Sequence, residues 1–214
     1  MTENIKHHLS DDLLMAYSAG TLPEAFSLMV ASHVSLCDVC RAQLETFDAV
    51  GGALLEDETA EMGEDSLAAT IAMISGHAPQ PRAPRKRPGV LPGPLQEYVG
   101  GDLEAIKWRP VGMGVKQAIL PTSRDASARL LFIPAGAAVP DHSHNGMEMT
   151  MVLQGAFSDE DDRFARGDVE MADESVHHTP VADISEDCIC LAVTDAPLKF
   201  TGLIPRIAQP FLRI

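Results

Sequence analysis

The segment GHAPQPRAPRKRPGVLPGPL, residues 76–95, holds six of the fifteen prolines in the chain. Each proline lacks a backbone N–H and fixes φ, so neither a helix nor a sheet ladder continues through such a run. The stretch reads as an extended linker over residues 77–94, and it divides the 214 residues into two units with different patterns. It is also the only basic part of the chain, through Arg82, Arg85, Lys86 and Arg87. Residues 1–75 carry 13 acidic and 2 basic side chains, a net of −11, and residues 95–214 carry 18 and 10, a net of −8. An overall charge of −15 argues against direct nucleic-acid binding, which needs basic surface to displace counterions.

On the N-terminal side the pattern is helical, and residues 1–76 are expected to form a small all-α bundle. Ser10 followed by Asp11 and Asp12 caps a first helix through Leu13, Leu14 and Tyr17, stopped by Gly20. Thr21-Leu-Pro-Glu24 has capping-box spacing for a second helix through Leu28, Met29 and His33. A third is expected from Asp38 to Val50, ended by Gly51-Gly52, and a fourth around Ser66–Ile74. Residues 95–214 instead show short strands: VKQAIL, RLLFIPA, MEMTMVLQG, GDVEMA, CICLAV and LKFTGLI. Gly, Pro and Asp interrupt them closely, which predicts an all-β barrel or sandwich and an α+β chain in two domains. No signal peptide is apparent and no run of about 18 apolar residues exists, so a cytoplasmic protein with no membrane partner is expected.

The motif HVSLCDVC sets His33, Cys37 and Cys40 within eight residues. His33 and Cys37 are four apart and share a helix face, while Cys40 lies where the next helix begins and its dipole favours a thiolate. A thioredoxin-type redox pair would follow a strand, and none precedes this one. Two inert buried cysteines are the plain alternative, but the histidine at helical spacing favours metal. A fourth ligand is available at His7 or His8, with His8 nearer the Ser10 cap. A closed Cys2His2 zinc site would be structural.

The second half contains Gly136, His142, His144, Glu148 and Gly155 in the arrangement GAAVPDHSHNGMEMTMVLQG. On a strand, HxH places both imidazoles on one face, and Glu148 meets them across a turn. Two imidazoles and a carboxylate suit several transition metals. Cys188 and Cys190 share a strand face at a spacing too long for an easy disulfide. They are either small core residues or an oxidisable pair, and Met147, Met149, Met151 and Met171 are open to the same two readings.

Residues 7–44 resemble the zinc-binding anti-sigma domain, whose ligands carry over to His8, His33, Cys37 and Cys40. The Gly136–Gly155 spacing resembles the first cupin motif in full, and residues 95–205 resemble a small cupin barrel. The second cupin motif supplies one more histidine after a Gly-Asp turn. Gly167-Asp168 followed by DVEMADESVHHTP selects His178, with His177 as the alternative. The pairing of the two halves is similar to the ChrR-type anti-sigma factors. That resemblance implies zinc in each half, two per chain, and a 1:1 complex with an extracytoplasmic-function (group IV) sigma factor. It also implies release through the cupin half on exposure to singlet oxygen or organic hydroperoxide. The alternative is a metal-dependent cupin enzyme, a dioxygenase or isomerase, with a helical interaction module.

Overall fold

The computed structural model describes residues 5–76, 88–143, 145–197 and 199–200. The first helix, α1 (Asp11–Ser18), starts as expected: Ser10 is extended and its Oγ accepts a hydrogen bond from the Leu13 N–H at 3.4 Å. The capping box before α2 (Glu24–Val34) does not form. Pro23 is the cap residue without a side-chain bond, and the Thr21 hydroxyl donates back to the Ala16 carbonyl at 3.1 Å, closing α1.

Helix α3 (Asp38–Asp57) passes straight through Gly51-Gly52 instead of ending there. Glycine ends a helix most readily in the left-handed conformation, and neither residue adopts a positive φ. Each then costs only about 1 kcal/mol relative to alanine. Helix α4 (Ser66–Gly76) follows, with no buried residue.

Residues 77–87 of the expected linker lie outside the described residues. Its last part is packed. Leu91 is buried, the Asp102 carboxylate accepts from the Val90 and Leu91 N–H groups at 2.9 and 2.8 Å, and α5 (Gly93–Val99) begins within it. Pro94 sits in the first turn of α5, where a missing N–H costs no hydrogen bond. Gly100 ends the helix at φ 82°.

The strands are β1 Arg109–Gly112, β2 Val115–Ile119, β3 Ser127–Ile133, β4 His142–Ser143, β5 Glu148–Gln154 and β6 Ala156–Ser158. They continue with β7 Arg163–Ala165, β8 Val169–Ala172, β9 His177–His178, β10 Val181–Ala182, β11 Cys188–Thr194 and β12 Lys199–Phe200. A six-stranded sheet runs β1-β2-β3-β11-β5-β8, beside three-stranded sheets β10-β6-β7 and β12-β4-β9. All named pairings are antiparallel. The expected barrel is therefore corrected. Among the described residues the three sheets are not closed on one another, and the fold is five helices followed by a sheet-rich, cupin-like half.

The two halves share a core. Helix α2 buries Ala25, Phe26, Leu28, Met29, Val30, Ser32 and His33, which span more than half of its circumference. A buried stripe this wide needs cover from more than one neighbour. It packs on α1 and α3, and against β11, β3 and β5. Leu130, Met149, Met151, Leu153, Ile189, Leu191 and Val193 join it in one hydrophobic cluster. Each large side chain fully buried there stabilises by about 1.5–3 kcal/mol. Cys188 and Cys190 alternate with these and join Ile133, Val152, Phe157 and Phe164 in a second cluster. The continuous apolar run of β11 thus reflects a strand covered on both faces.

Candidate metal centres

The N-terminal residues reach the first centre by way of the sheet. The Asp168 carboxylate accepts from the backbone N–H groups of Lys6 (2.6 Å) and His7 (2.9 Å), and the Val169 N–H donates to the His7 carbonyl at 3.2 Å. The His7 ring turns to the cupin-like half, bonding Asp162 at 3.0 Å and packing on Phe164. His8 turns the other way, into the helices. Its Nδ1 lies 3.3 Å from Cys37 Sγ and 3.6 Å from Cys40 Sγ. His33 Nε2 lies 3.2 Å from Cys40 Sγ.

One ligand atom from each of His8, His33, Cys37 and Cys40 lies within 4.8 Å of every other, so the group could hold a metal ion. Tetrahedral zinc, with bonds of about 2.0–2.1 Å to nitrogen and about 2.3 Å to sulfur, sets such ligands about 3.6 Å apart. The observed separations fit. His33 Nδ1 donates to the Gly167 carbonyl at 3.0 Å, which leaves the Nε2 lone pair facing the thiols. The Leu9 N–H bonds Cys40 Sγ and the Cys40 N–H bonds Cys37 Sγ, contacts that suit thiolates. With no cation, burial holds His33 down to about 4, and burial together with Cys37 pushes Cys40 up to about 11. A bound dication favours the neutral imidazole and reverses the thiol shift.

The second centre lies on the other face of the large sheet. His142 Nδ1 donates to the Pro140 carbonyl at 2.9 Å, and His178 Nδ1 meets Glu170 Oε1 at 2.8 Å. With both Nδ1 atoms donating, the two Nε2 lone pairs face each other at 3.3 Å. A proton or a cation must sit between them, and two nitrogens on tetrahedral zinc stand about 3.3 Å apart. Burial opposes a charged His178, yet Glu170 outweighs it, and the imidazole is pushed up to about 8. Glu148, at the head of β5, accepts from the Thr150 hydroxyl at 3.3 Å and acts electrostatically on His178. His177 is exposed, and His144 lies outside the described residues.

Two carboxylates here were missed in the sequence. Asp159 and Glu170 form a second group with His178 that could hold a metal ion. They are also bonded to each other: burial raises Glu170, while backbone and side-chain donors outweigh burial and lower Asp159. The signal for Glu170 was its alternate position in GDVEMA, facing inward. Asp159 sits in SDEDDR, which looks like any solvated acidic loop.

Cys188 and Cys190 place their sulfurs 3.4 Å apart, closer than strand spacing suggested. The hydrogen bond its S–H donates to Cys188, burial, and the nearby Cys188 and Glu170 push the Cys190 thiol well above its ordinary value, so it is a poor nucleophile. Met149 and Met151 are buried in the core shared with α2, on the opposite face from these groups.

The sequence profile of the ChrR cupin-like domain matches residues 96–198. Anti-sigma-E factor ChrR of Cereibacter sphaeroides is 57% identical over 98% of this chain and 99% of its own length. The chain belongs to the ChrR anti-sigma factor family. The crystal structure of Rhodobacter sphaeroides SigE in complex with the anti-sigma ChrR matches 90% of this chain and 100% of its own, at 56% identity and TM-score 0.79. An RmlC-like cupin protein from Ralstonia eutropha aligns over 48% of this chain and 71% of its own, at 25% identity and TM-score 0.41. As a ChrR-family chain the protein is a regulator rather than an enzyme, and the enzyme alternative gives way. No single helix among the described residues is long and apolar enough to cross a membrane.

Proposed function

We infer that this ChrR-family chain is a cytoplasmic anti-sigma factor. It holds an extracytoplasmic-function sigma factor in a 1:1 complex through its helical half. It releases the sigma factor under oxidative stress, from singlet oxygen or organic hydroperoxide, sensed through the cupin-like half. The observation that carries this reading is an uncovered apolar surface. On α4, Leu67, Ile71, Met73 and Ile74 are 53–71% exposed, and on the outer part of α3 Val50, Leu54 and Leu55 are 57–75% exposed. An apolar helix without cover marks an interaction site, and the related ChrR structure is a complex with SigE. The net charge of −11 over residues 1–75 suits a partner with basic polymerase- or DNA-binding surfaces.

In this reading His8, His33, Cys37 and Cys40 hold a structural zinc that shapes the helical bundle. A second zinc is held by His142, His144, Glu148 and His178 in the cupin-like half. Zinc has no redox chemistry, so the oxidised atoms belong to the protein, and Cys188 with Cys190 are the candidates. Their burial means that oxidant must first enter the interior. The test is co-purification with an extracytoplasmic-function sigma factor and mass measurement of the complex. An Ile71→Asp, Ile74→Asp double variant should keep its fold and zinc but lose the partner. His142→Ala or Glu148→Ala should bind normally and respond weakly to singlet oxygen. A complex unaffected by the α4 changes would contradict the surface, and normal induction in the cupin variants would contradict the sensor.

A further inference from the structure

The Gly167-Asp168 turn belongs to the cupin-like half in sequence, yet it bonds one of the four groups at the helical metal centre, His33, and the backbone leading into a second, His8. The Gly167 carbonyl accepts from His33 Nδ1 at 3.0 Å. One oxygen of Asp168 accepts from Lys6 and His7 N–H, and the other from Ala165 N–H at 2.9 Å, so the carboxylate pins the turn and the incoming chain together. The Val169 N–H adds the bond to the His7 carbonyl, one residue before His8. Gly167 has φ 89°, a conformation strained for any other residue, and a Cβ there would lie 2.5 Å from Ile5 Cδ1, so the Ile5 side chain would have to move. Asp168 and His33 are both buried, at 3% and 0% exposure.

We propose that the Gly167-Asp168 turn is a positioning element of the helical zinc centre, fixing the ring of His33 and the backbone leading into His8. Metal occupancy and docking of the two halves are thereby coupled. The inference rests on the reading that His8, His33, Cys37 and Cys40 hold zinc. Groups behind a metal-bound histidine orient the ring and set its donor strength, and their loss typically costs 10–100-fold in metal affinity. Here such a group comes from the other half of the chain. Because the linkage is reciprocal, losing the metal must also loosen the turn's grip on residues 6 and 7.

The test uses the full chain, with cobalt(II) as the probe. Its thiolate charge-transfer absorption reports the Cys37–Cys40 centre. Asp168→Ala should weaken cobalt binding there by 10–100-fold. Asp168→Asn, which keeps a carbonyl oxygen towards Lys6 and His7, should recover most of the loss. Asp102→Ala is the control: it removes a carboxylate that likewise accepts two backbone N–H groups, those of Val90 and Leu91, but touches no candidate ligand. Equal weakening in Asp102→Ala, or none in Asp168→Ala, would overturn the proposal. If Asp168→Ala fails to fold, hydrogen exchange on the unaltered chain decides. Removing the metal with a chelator should speed exchange at Lys6, His7 and Val169 while Val90 and Leu91 stay protected, and unchanged rates at the first three would overturn it. Absence of any thiolate–cobalt band in the unaltered chain would instead remove the zinc reading underneath.

Discussion

The two candidate centres differ in how far their residues travel to meet. In the helical half, three of four groups lie within eight residues, and one helix junction sets their geometry. Cys37 caps α3, its N–H bonds the His33 carbonyl at 2.8 Å, and Cys40 falls in the first turn. In the cupin-like half, His142 and His178 are brought together by pairing of β4 with β9, and the buried partners of His178 come from two further segments. A local motif stores its geometry in spacing. A dispersed one stores it in the sheet, where buried charge must be balanced by residues that no motif names. The first centre should therefore fail all at once and the second by degrees.

The largest effect should come from Cys37→Ser or Cys40→Ser. Structural zinc is worth roughly 10–16 kcal/mol in small metallodomains, so either change should empty the helical centre, disorder the bundle and abolish partner binding. Metal analysis with circular dichroism checks this, and a fully zinc-loaded variant would erase the contrast. Next comes Glu170→Gln, which removes the nearer of the two carboxylates bonded to His178 and leaves Asp159 at 3.4 Å. It should lower metal affinity in the cupin-like half by roughly 10–100-fold and leave the cobalt–thiolate signal of the helical half unchanged.

A pH effect sharpens the comparison in metal-free protein. The folded His178 pKa is raised to about 8, above its ordinary value of 6.5. The stabilisation, about 2 kcal/mol, is therefore fully present below pH 6.5 and lost as the pH rises through 8. Thermal unfolding across that window measures it, and Glu170→Gln should flatten the dependence. The smallest effect is expected on α3. Gly51→Ala and Gly52→Ala meet nothing within 4 Å, so each should strengthen the outer half of the helix by about 1 kcal/mol, visible as slower amide exchange.

These elements also show what the sequence could convey. The helices through residue 76, the change from helices to strands and the group at His8, His33, Cys37 and Cys40 follow from caps, periodicity and short spacings. The continuation of α3 past Gly51-Gly52 did not, because glycine signals a stop only where the chain takes a left-handed turn. Nor did α5, since the prolines before it masked a helix whose first turn tolerates one. The shared core was legible only in hindsight: EAFSLMVASHV carries a single acidic residue and a broad apolar stripe, as befits a helix packed between bundle and sheet. Asp159 was hidden because burial, which gives a carboxylate its meaning, is a tertiary property.

The central claim, that the chain is an anti-sigma factor whose helical surface takes the partner, is tested most directly by hydrogen exchange with and without an extracytoplasmic-function sigma factor. The account predicts a 1:1 complex in which amides of α4 and the outer half of α3 gain strong protection, while those around His142 and His178 do not change. No complex, or protection confined to the cupin-like half, would contradict it.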